Sequence, residues 1–476
     1  MPNDNILSKR YATRAMNDIF SERGKTLAER ELWIAVMKAQ RELGVPIPAE
    51  EIAKYEAAKE SIDLDAIEAI ERKTKHDVKA KIEAFVQAAG AAEHIHGGMT
   101  SRDLTDNVEQ MQIRKAARLV FGKCVSVLRH FAERANEYRD IVLTARTHHQ
   151  PAQPTALGRR FAMWAEELLG HATRFEAFMA DYPLRGLKGP VGTQSDLLTL
   201  LGSFDKVEEL ERKVARGLGF ATLLDAPGQV YPRSLDYELV SRLACLASAC
   251  ESFAKGMRLM AGYELVTEGF KAGQVGSSAM PHKMNTRSSE RICGFAELLK
   301  MYADGASRLA GDQWEEGDVS CSVLRRVVIP DAFYAMDGLC ETVLTVLNEM
   351  GAYPAMIAKE VERYLPFLAT TEMLLLATKA GVGRETAHET IRRHAVAEAL
   401  RLRDAGSGRN RLTELLAEDP VFKGVGIGPE ALNGTIADAT RFVGRAKQQT
   451  DAIVSAVNAL IRQHAEAAAY EPQGIL

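Results

Sequence analysis

The sequence predicts a nearly all-α fold built on helices of bundle length, and three observations point there. An interior proline costs a helix roughly 3 kcal/mol. The sixteen prolines leave two long stretches clear: none lies between Pro48 and Pro151, and only Pro281 falls between Pro232 and Pro330. Within the second stretch Leu235, Leu239, Leu243, Leu246, Cys250, Phe253, Met257 and Met260 recur every three or four residues, which draws one apolar stripe along a long helix. Alternation with a period of two, the mark of a half-buried strand, is scarce.

Taken in order, the chain begins with shorter, more charged helices before residue 105. A long helix is expected over 105–137. Leu157, Phe161, Trp164, Leu168, Phe175 and Met179 repeat the helical spacing between Pro154 and Pro183. Segment 183–195, with Gly186, Gly189 and Gly192, reads as irregular or extended chain. Helices follow over 235–260, 287–314 and 331–350. Past Pro366 the helices shorten again, punctuated by Gly381, Gly383, Gly406, Gly408 and the Gly424–Pro429 cluster. Five long helices pack most simply as a bundle. The boundaries fall near 110 and 365, dividing the chain into an N-terminal helical domain (1–110), a central long-helix domain (111–365) and a C-terminal helical domain (366–476).

At 476 residues with 46% apolar content, the chain has ample material for two or three cores. Sixty Lys and Arg against 64 Asp and Glu give a net charge of -4, which argues against a nucleic acid or membrane surface recognised by bulk charge. Anionic ligands therefore need local basic clusters. Six cysteines (Cys124, Cys245, Cys250, Cys293, Cys321, Cys340) show no CxxC pair, which fits a reducing cytoplasm. Met1–Asn5 lacks a basic, apolar leader, and no run of about 18 apolar residues occurs, so a soluble, untargeted chain is expected.

Against this background Gly276-Ser277-Ser278-Ala279-Met280-Pro281-His282-Lys283-Met284-Asn285 resembles neither flanking helix. Small residues crowd its start, and Lys283 and Asn285 carry polar tips two positions apart, which suits a lid over an anion, here taken as 274–287. The plain alternative is a Gly/Ser connector. Arg146-Thr147-His148-His149-Gln150-Pro151 puts two histidines ahead of what reads as a proline-started helix. A histidine titrates near neutrality and is a natural acid for a departing amine, although one at a helix entrance is more often a cap. In Gly98-Met99-Thr100-Ser101-Arg102-Asp103-Leu104-Thr105-Asp106-Asn107, Thr105 or Asp106 reads as the N-cap of the helix running to 137. His94 and His96 lack a third ligand at a recognisable spacing, and no phosphate loop or dinucleotide fingerprint is present, so neither metal nor cofactor is expected.

GSSAMPHKMN resembles the signature loop of the fumarase/aspartase superfamily, with Thr286 where that family usually has proline. R-T-H-H-Q-P-A-Q-P-T is similar to its second motif, in which the histidine after threonine, here His148, acts as general acid; His149 stands where glycine is common and receives no role. Thr100 and Ser101 match the hydroxyl pair that binds a substrate carboxylate. Lys75-His76-Asp77-Val78, Ser8-Lys9-Arg10-Tyr11, Ser288-Ser289-Glu290-Arg291, Gly189–Gln194, Gln229–Arg233 and Trp314 followed by Ser322-Val323-Leu324-Arg325-Arg326 look like the adenylosuccinate lyase branch, although Gly317 replaces an arginine often seen there.

That resemblance implies a three-domain fold whose bundles pair into a twenty-helix core in a homotetramer, with each site shared between subunits. It implies elimination of fumarate from a succinylated nucleotide without a cofactor. Ser277 would take the Cβ proton and His148 would protonate the leaving nitrogen. A serine is a poor base unless desolvated beside a cation such as Lys283. Lys283, Asn285, Thr100 and Ser101 would hold the carboxylates, and His76, Arg10, Tyr11, Arg291, Ser322 and Arg326 the nucleotide. Asp77, Gln150 and Gln229 join the substrate-binding set from their matching segments. Arg10, Lys283, Arg291, Arg325 and Arg326 would supply the local positive charge. The rivals are a sister lyase or cycloisomerase using argininosuccinate, aspartate or a carboxymuconate, and a non-catalytic structural protein on the same fold.

Overall fold

The computed structural model describes residues 5–269, 280 and 282–473. In chain order, Ile6–Arg10 (α1), Arg14–Phe20 (α2), Glu22–Glu42 (α3), Ala49–Ala58 (α4), Leu64–Thr74 (α5) and Asp77–Ala89 (α6) lead to Ser101–Glu137 (α7). A hairpin, Val142–Thr147 (β1) and Gln150–Ala156 (β2), precedes Leu157–Asp181 (α8). Ser195–Leu201 (α9) and Phe204–Gly217 (α10) are short, and Ser234–Gly262 (α11) is long. A small bridge of Val266–Thr267 (β3) with Gly351–Ala352 (β4) frames Arg287–Ser307 (α12) and Cys321–Glu349 (α13). Pro354–Leu368 (α14), Thr370–Lys379 (α15), Arg384–Ala405 (α16), Leu412–Glu418 (α17), Pro420–Lys423 (α18), Pro429–Thr435 (α19) and Ala446–Gln463 (α20) complete the elements used below.

The five long helices form where sequence reasoning expects them, with instructive differences at their ends. Helix α13 begins ahead of the expected 331 and carries Pro330 in its interior. The proline forfeits one hydrogen bond there, yet burial of Val328, Ile329, Ala332 and Phe333 around it keeps the helix continuous. Helix α12 ends at Ser307 rather than 314. Helix α7 starts at Ser101 with Thr100 as its N-cap, not at Thr105 or Asp106, because the polar side chains of its first turns have buried partners.

Helix α7 is buried on nearly all sides, against α8, α13, α3 and α20, as expected of a helix at the centre of a bundle. Phe131 of α7, Phe161 and Trp164 of α8 and Phe253 of α11 make an edge-on aromatic cluster with centroid separations of 5.1–5.3 Å. Gly256 makes room for it, since a Cβ there would stand 2.3 Å from the Trp164 ring. Removing one such ring costs about 3–5 kcal/mol. Residues 369–432 close a second, smaller core around Met373, Leu412, Leu416, Phe422 and Leu432, whereas α20 returns to the main core through Val457 and Leu460. Segment 183–195 is irregular up to α9, apart from a bridge between Leu184 and Leu223.

Candidate active site

The start of α7 is a junction of three segments. Trp33 donates its indole N–H to His96 Nδ1 at 3.1 Å, and His96 and Gly98 turn the chain with φ of 66° and 71° into the Thr100 cap. Asp103 returns a bond to the cap, accepting the Thr100 N–H at 2.8 Å. Its other oxygen receives Arg185 Nη1 at 2.6 Å and the backbone N–H groups of Lys188 and Gly189 at 2.8 and 3.1 Å. Asn107 grips both polar groups of Gly186, at 2.8 and 3.0 Å, and Gln110 holds Pro183 and Arg185 in the same way. Asp106 ties the Gln229–Arg233 segment to the helix, receiving the Tyr231 N–H at 3.2 Å and Arg233 at 3.1 Å, and it pairs with Arg102. Asp103, Asp106 and Asn107 are fully buried, while Thr100 and Ser101 remain half-buried at the rim, available to a ligand. Sequence reasoning singled out the hydroxyls and missed the clamp, although both lie between Thr100 and Gln110.

Two further groups meet this end. Gln229 donates its N–H to the Glu316 carbonyl at 2.7 Å, which brings the 314–320 loop alongside. His76, the N-cap of α6, accepts the Lys79 N–H at 3.2 Å, keeps a half-exposed ring, and lies near enough to His96 for its charge to add to the burial that lowers the His96 pKa. Ser322, the second residue of α13, donates to the Val319 carbonyl at 2.6 Å. Arg326, one turn on, is exposed beside a cavity of about 180 Å³ that Lys25 also lines. Arg325 lines the same cavity, together with Glu109, but its charge is already matched. It is buried between Asp236, at 2.6 Å, and Glu109, at 2.5 Å, and also donates to the Tyr231 hydroxyl. Burial alone would raise the Glu109 pKa, but the Arg325 guanidinium pulls it below the ordinary carboxylate value. Arg325 is therefore part of the frame rather than a free anion site.

The second motif lies at the far end of α7, and not at a helix entrance. His148 and His149 form the tip of the β1–β2 hairpin, with left-handed φ of 50° and 63°. Pro151 and Pro154 sit within β2, which a two-stranded ribbon allows because every strand in it is an edge. The hairpin is braced by Arg146, which pairs with Glu360 of α14 and lies over the Tyr263 ring at 4.3 Å. His149 shares a hydrogen bond with the Tyr263 hydroxyl at 3.0 Å. Gln150 is exposed and lines a cavity of about 350 Å³ with Arg146 and His149. The His148 ring is exposed and bonds to no described residue.

The flanks of the lid occupy the same end of the bundle as the hairpin. Ser277 lies outside the described residues. Lys283 is exposed, with its N–H donated to the Met280 carbonyl, and Asn285 is half-buried. Glu268, which carried no signal in the sequence, accepts the Ser288 and Ser289 N–H groups and the Ser289 hydroxyl, all at 2.9 Å, and so closes the start of α12. Arg291, one turn into α12, lies over the Tyr11 ring at 5.5 Å, and Tyr11 packs edge-on against Phe295 at 5.1 Å. Arg10 is exposed beside it, and Asp77 is half-exposed on the first turn of α6. Helix α7, with 37 residues, is about 55 Å long at 1.5 Å per residue, so Thr100 and Ser101 stand roughly that far from the hairpin within one chain.

Comparisons with known proteins fit this arrangement. The family model described as Lyase matches residues 9–297, and the model described as Adenylosuccinate lyase C-terminus matches residues 366–453. The chain is 35% identical to the adenylosuccinate lyase of Saccharomyces cerevisiae over 453 residues, covering 94% of this chain and 93% of the relative. It is also 35% identical to that of Schizosaccharomyces pombe over 454 residues, with the same coverage. Among solved structures it resembles the 3-carboxy-cis,cis-muconate lactonizing enzyme of Pseudomonas putida with a TM-score of 0.80 at 20% identity, covering 98% of this chain and 100% of that one. The fumarate lyase of Mesorhizobium sp. BNC1 gives 0.78 at 21%, covering 94% and 99%. At such identities the solved structures speak for the fold alone.

Proposed function

The chain belongs to the adenylosuccinate lyase family, and from that premise we propose that it eliminates fumarate from adenylosuccinate, giving AMP, and from the succinylaminoimidazole-carboxamide ribotide, giving AICAR, in purine nucleotide biosynthesis. The observation that carries this is the end-to-end match to adenylosuccinate lyases, in a chain that keeps Ser277, His148, Lys283 and His76.

The chemistry assigned to these residues is a β-elimination. Ser277 takes the Cβ proton beside a carboxylate, and the electron pair moves into that carboxylate as an aci-anion stabilised by Lys283, Asn285, Thr100 and Ser101. The pair then forms the carbon–carbon double bond of fumarate as the C–N bond breaks, and His148 protonates the departing nitrogen. Arg10, Tyr11, Arg291, Ser322 and Arg326 hold the nucleotide, with His76, Asp77, Gln150 and Gln229 completing its surroundings. Mixing enzyme with adenylosuccinate and following the ultraviolet absorbance tests this. No change at micromolar enzyme would refute it.

A complete site needs more than one copy of the chain. The rim hydroxyls Thr100 and Ser101, together with His76, lie at one end of α7, and His148 at the other, some 55 Å away by the helix rise. A homotetramer whose sites draw on several subunits removes the conflict, and the apolar side chains left exposed on the bundle helices, Leu259, Met301, Val323 and Val327, suit such packing. Chains carrying His76→Asn, which retains a capping side chain, and chains carrying His148→Gln should be inactive separately and regain roughly a quarter of the activity when reassembled together. A monomer by light scattering, or mixed tetramers that stay inactive, would exclude shared sites. A division at about 110 and 365 and a cytoplasmic setting, consistent with free cysteines and with no described helix long and apolar enough to cross a membrane, complete the proposal.

A further inference from the structure

Deep in the bundle, apart from every residue assigned above, one buried cation lies between two buried carboxylates. Lys123 of α7 is 1% exposed and pairs with Asp337 and, at 2.8 Å, with Glu341, successive acids on one face of α13. A buried ionic group of this kind is weak evidence of stabilisation, because a well-packed apolar trio often does as well. Its connections are more informative, since each acid holds a distant part of the chain. Asp337 Oδ2 accepts the Thr13 backbone N–H at 2.6 Å, and Lys123 reaches the Thr13 hydroxyl at 3.4 Å. Glu341 accepts the Tyr470 hydroxyl and, at 2.7 Å, the Gln473 backbone N–H. The Tyr470 carbonyl accepts the Ser126 hydroxyl at 2.7 Å, and Lys123 lies 5.1 Å over the Tyr470 ring.

Thr13 lies two residues past Tyr11 and three past Arg10. Tyr11 is pressed onto the same turn of α13: a Cβ on Gly338 would stand 2.8 Å from the Tyr11 Cβ and 3.1 Å from its carbonyl oxygen. On its open side the Tyr11 ring meets Arg291 and Phe295. The segment 10–13 is thus registered against α13 by one backbone hydrogen bond and one missing side chain. That hydrogen bond ends on an acid which shares its cation with the acid holding residues 470–473.

We propose that Lys123, Asp337 and Glu341 are positioning residues that couple the docking of residues 470–473 to the placement of Arg10 and Tyr11, and thereby set affinity for the nucleotide part of the substrate. With Tyr470 and Gln473 in place, Glu341 is satisfied and Lys123 serves both acids. Without them Glu341 claims the cation, and Asp337 no longer holds Thr13 in register. The assignment rests on the reading of Arg10 and Tyr11 as nucleotide-holding residues.

Asp337→Ala leaves Lys123 paired with Glu341 and should raise the KM for adenylosuccinate about tenfold, with kcat changed less than about threefold. Asp337→Asn, which retains an acceptor for the Thr13 N–H, should restore KM to within about threefold of the parent. Tyr470→Phe should shift KM in the same direction by a smaller factor, and both Asp337→Ala and Tyr470→Phe should speed hydrogen exchange at the Thr13 amide. If Asp337→Ala does not fold, Gly338→Ala, which drives a methyl into Tyr11, takes its place beside Tyr470→Phe. Unchanged KM and unchanged Thr13 exchange would overturn the proposal, as would a fall in kcat alone, the mark of a smaller active fraction. Arg10→Gln separates the two layers: an unchanged KM there refutes the nucleotide role of Arg10, while Thr13 exchange in Tyr470→Phe still decides the coupling.

Discussion

The two ends of α7 carry motifs of similar length that are built in opposite ways. At its start, Asp103, Asp106, Asn107 and Gln110 are buried and each satisfies two or more groups of neighbouring segments. At its far end, Thr147, His148, His149 and Gln150 are exposed, and the two histidines hold a left-handed backbone at a hairpin tip. The first motif spends its polar side chains on the fold and offers only Thr100 and Ser101 to a ligand. The second is held by Arg146, Glu360 and Tyr263, and leaves His148 available. Polar residues in a motif therefore need sorting by partner before any is given a chemical role.

Four measurements would break or sharpen that contrast. The largest effect is expected from Asp103→Ala, which leaves the Arg185 guanidinium buried without its carboxylate. It should cost about 3–5 kcal/mol in chemical denaturation and take activity with it. A variant as stable as the parent would show that the clamp is not structural. His148→Gln should leave stability within about 0.5 kcal/mol, as surface changes do, while turnover falls about 10²- to 10⁴-fold. Turnover near the parent value would move the acid role to another histidine. Asn107→Ala strips both buried polar groups of Gly186 of their partner and should cost about 1–3 kcal/mol by the same denaturation measurement.

The smallest effect expected is one of pH. His96 accepts the Trp33 N–H, so it must be neutral in the fold, and burial lowers its pKa against the opposing charge of Asp103, with the His76 charge adding a smaller push downward. The unfolded chain then binds more protons than the folded one once pH drops below about 6.5. Stability should decline from there until the folded value is passed. A His96→Gln variant should show a shallower decline between pH 7 and pH 5 in denaturant titrations, and an identical slope would remove His96 from the account.

Much of the architecture was legible because prolines and apolar spacing report on helices directly. The stripe from Leu235 to Met260 became α11, and the gap between Pro48 and Pro151 held α7. The hairpin was not legible for the same reason: Pro151 and Pro154 read as a helix start, whereas an edge strand accepts proline equally well. Pro330 misled in the other direction, since tertiary burial carries α13 through it. At the site, residue type alone singles out His148 as a candidate acid, whereas Thr100, Ser101 and His76 are marked only by resemblance to the family's motifs. Whether an arginine is free or neutralised depends on residues far away in sequence, as Asp236 and Glu109 show for Arg325, and Glu268 stands twenty residues from the Ser288 N–H it accepts at the start of α12.

Glu268 has a consequence for ligand choice. The first N–H groups of a helix are a ready receptor for phosphate or carboxylate, and α12 begins just past Lys283 and Asn285, where an anionic substrate is expected to lie. Because Glu268 already fills that receptor, the start of α12 behaves as an occupied anion site with a tethered competitor. A free phosphate would have to displace a carboxylate held by three donors, so attraction for anions at this end falls to side chains that can be placed individually.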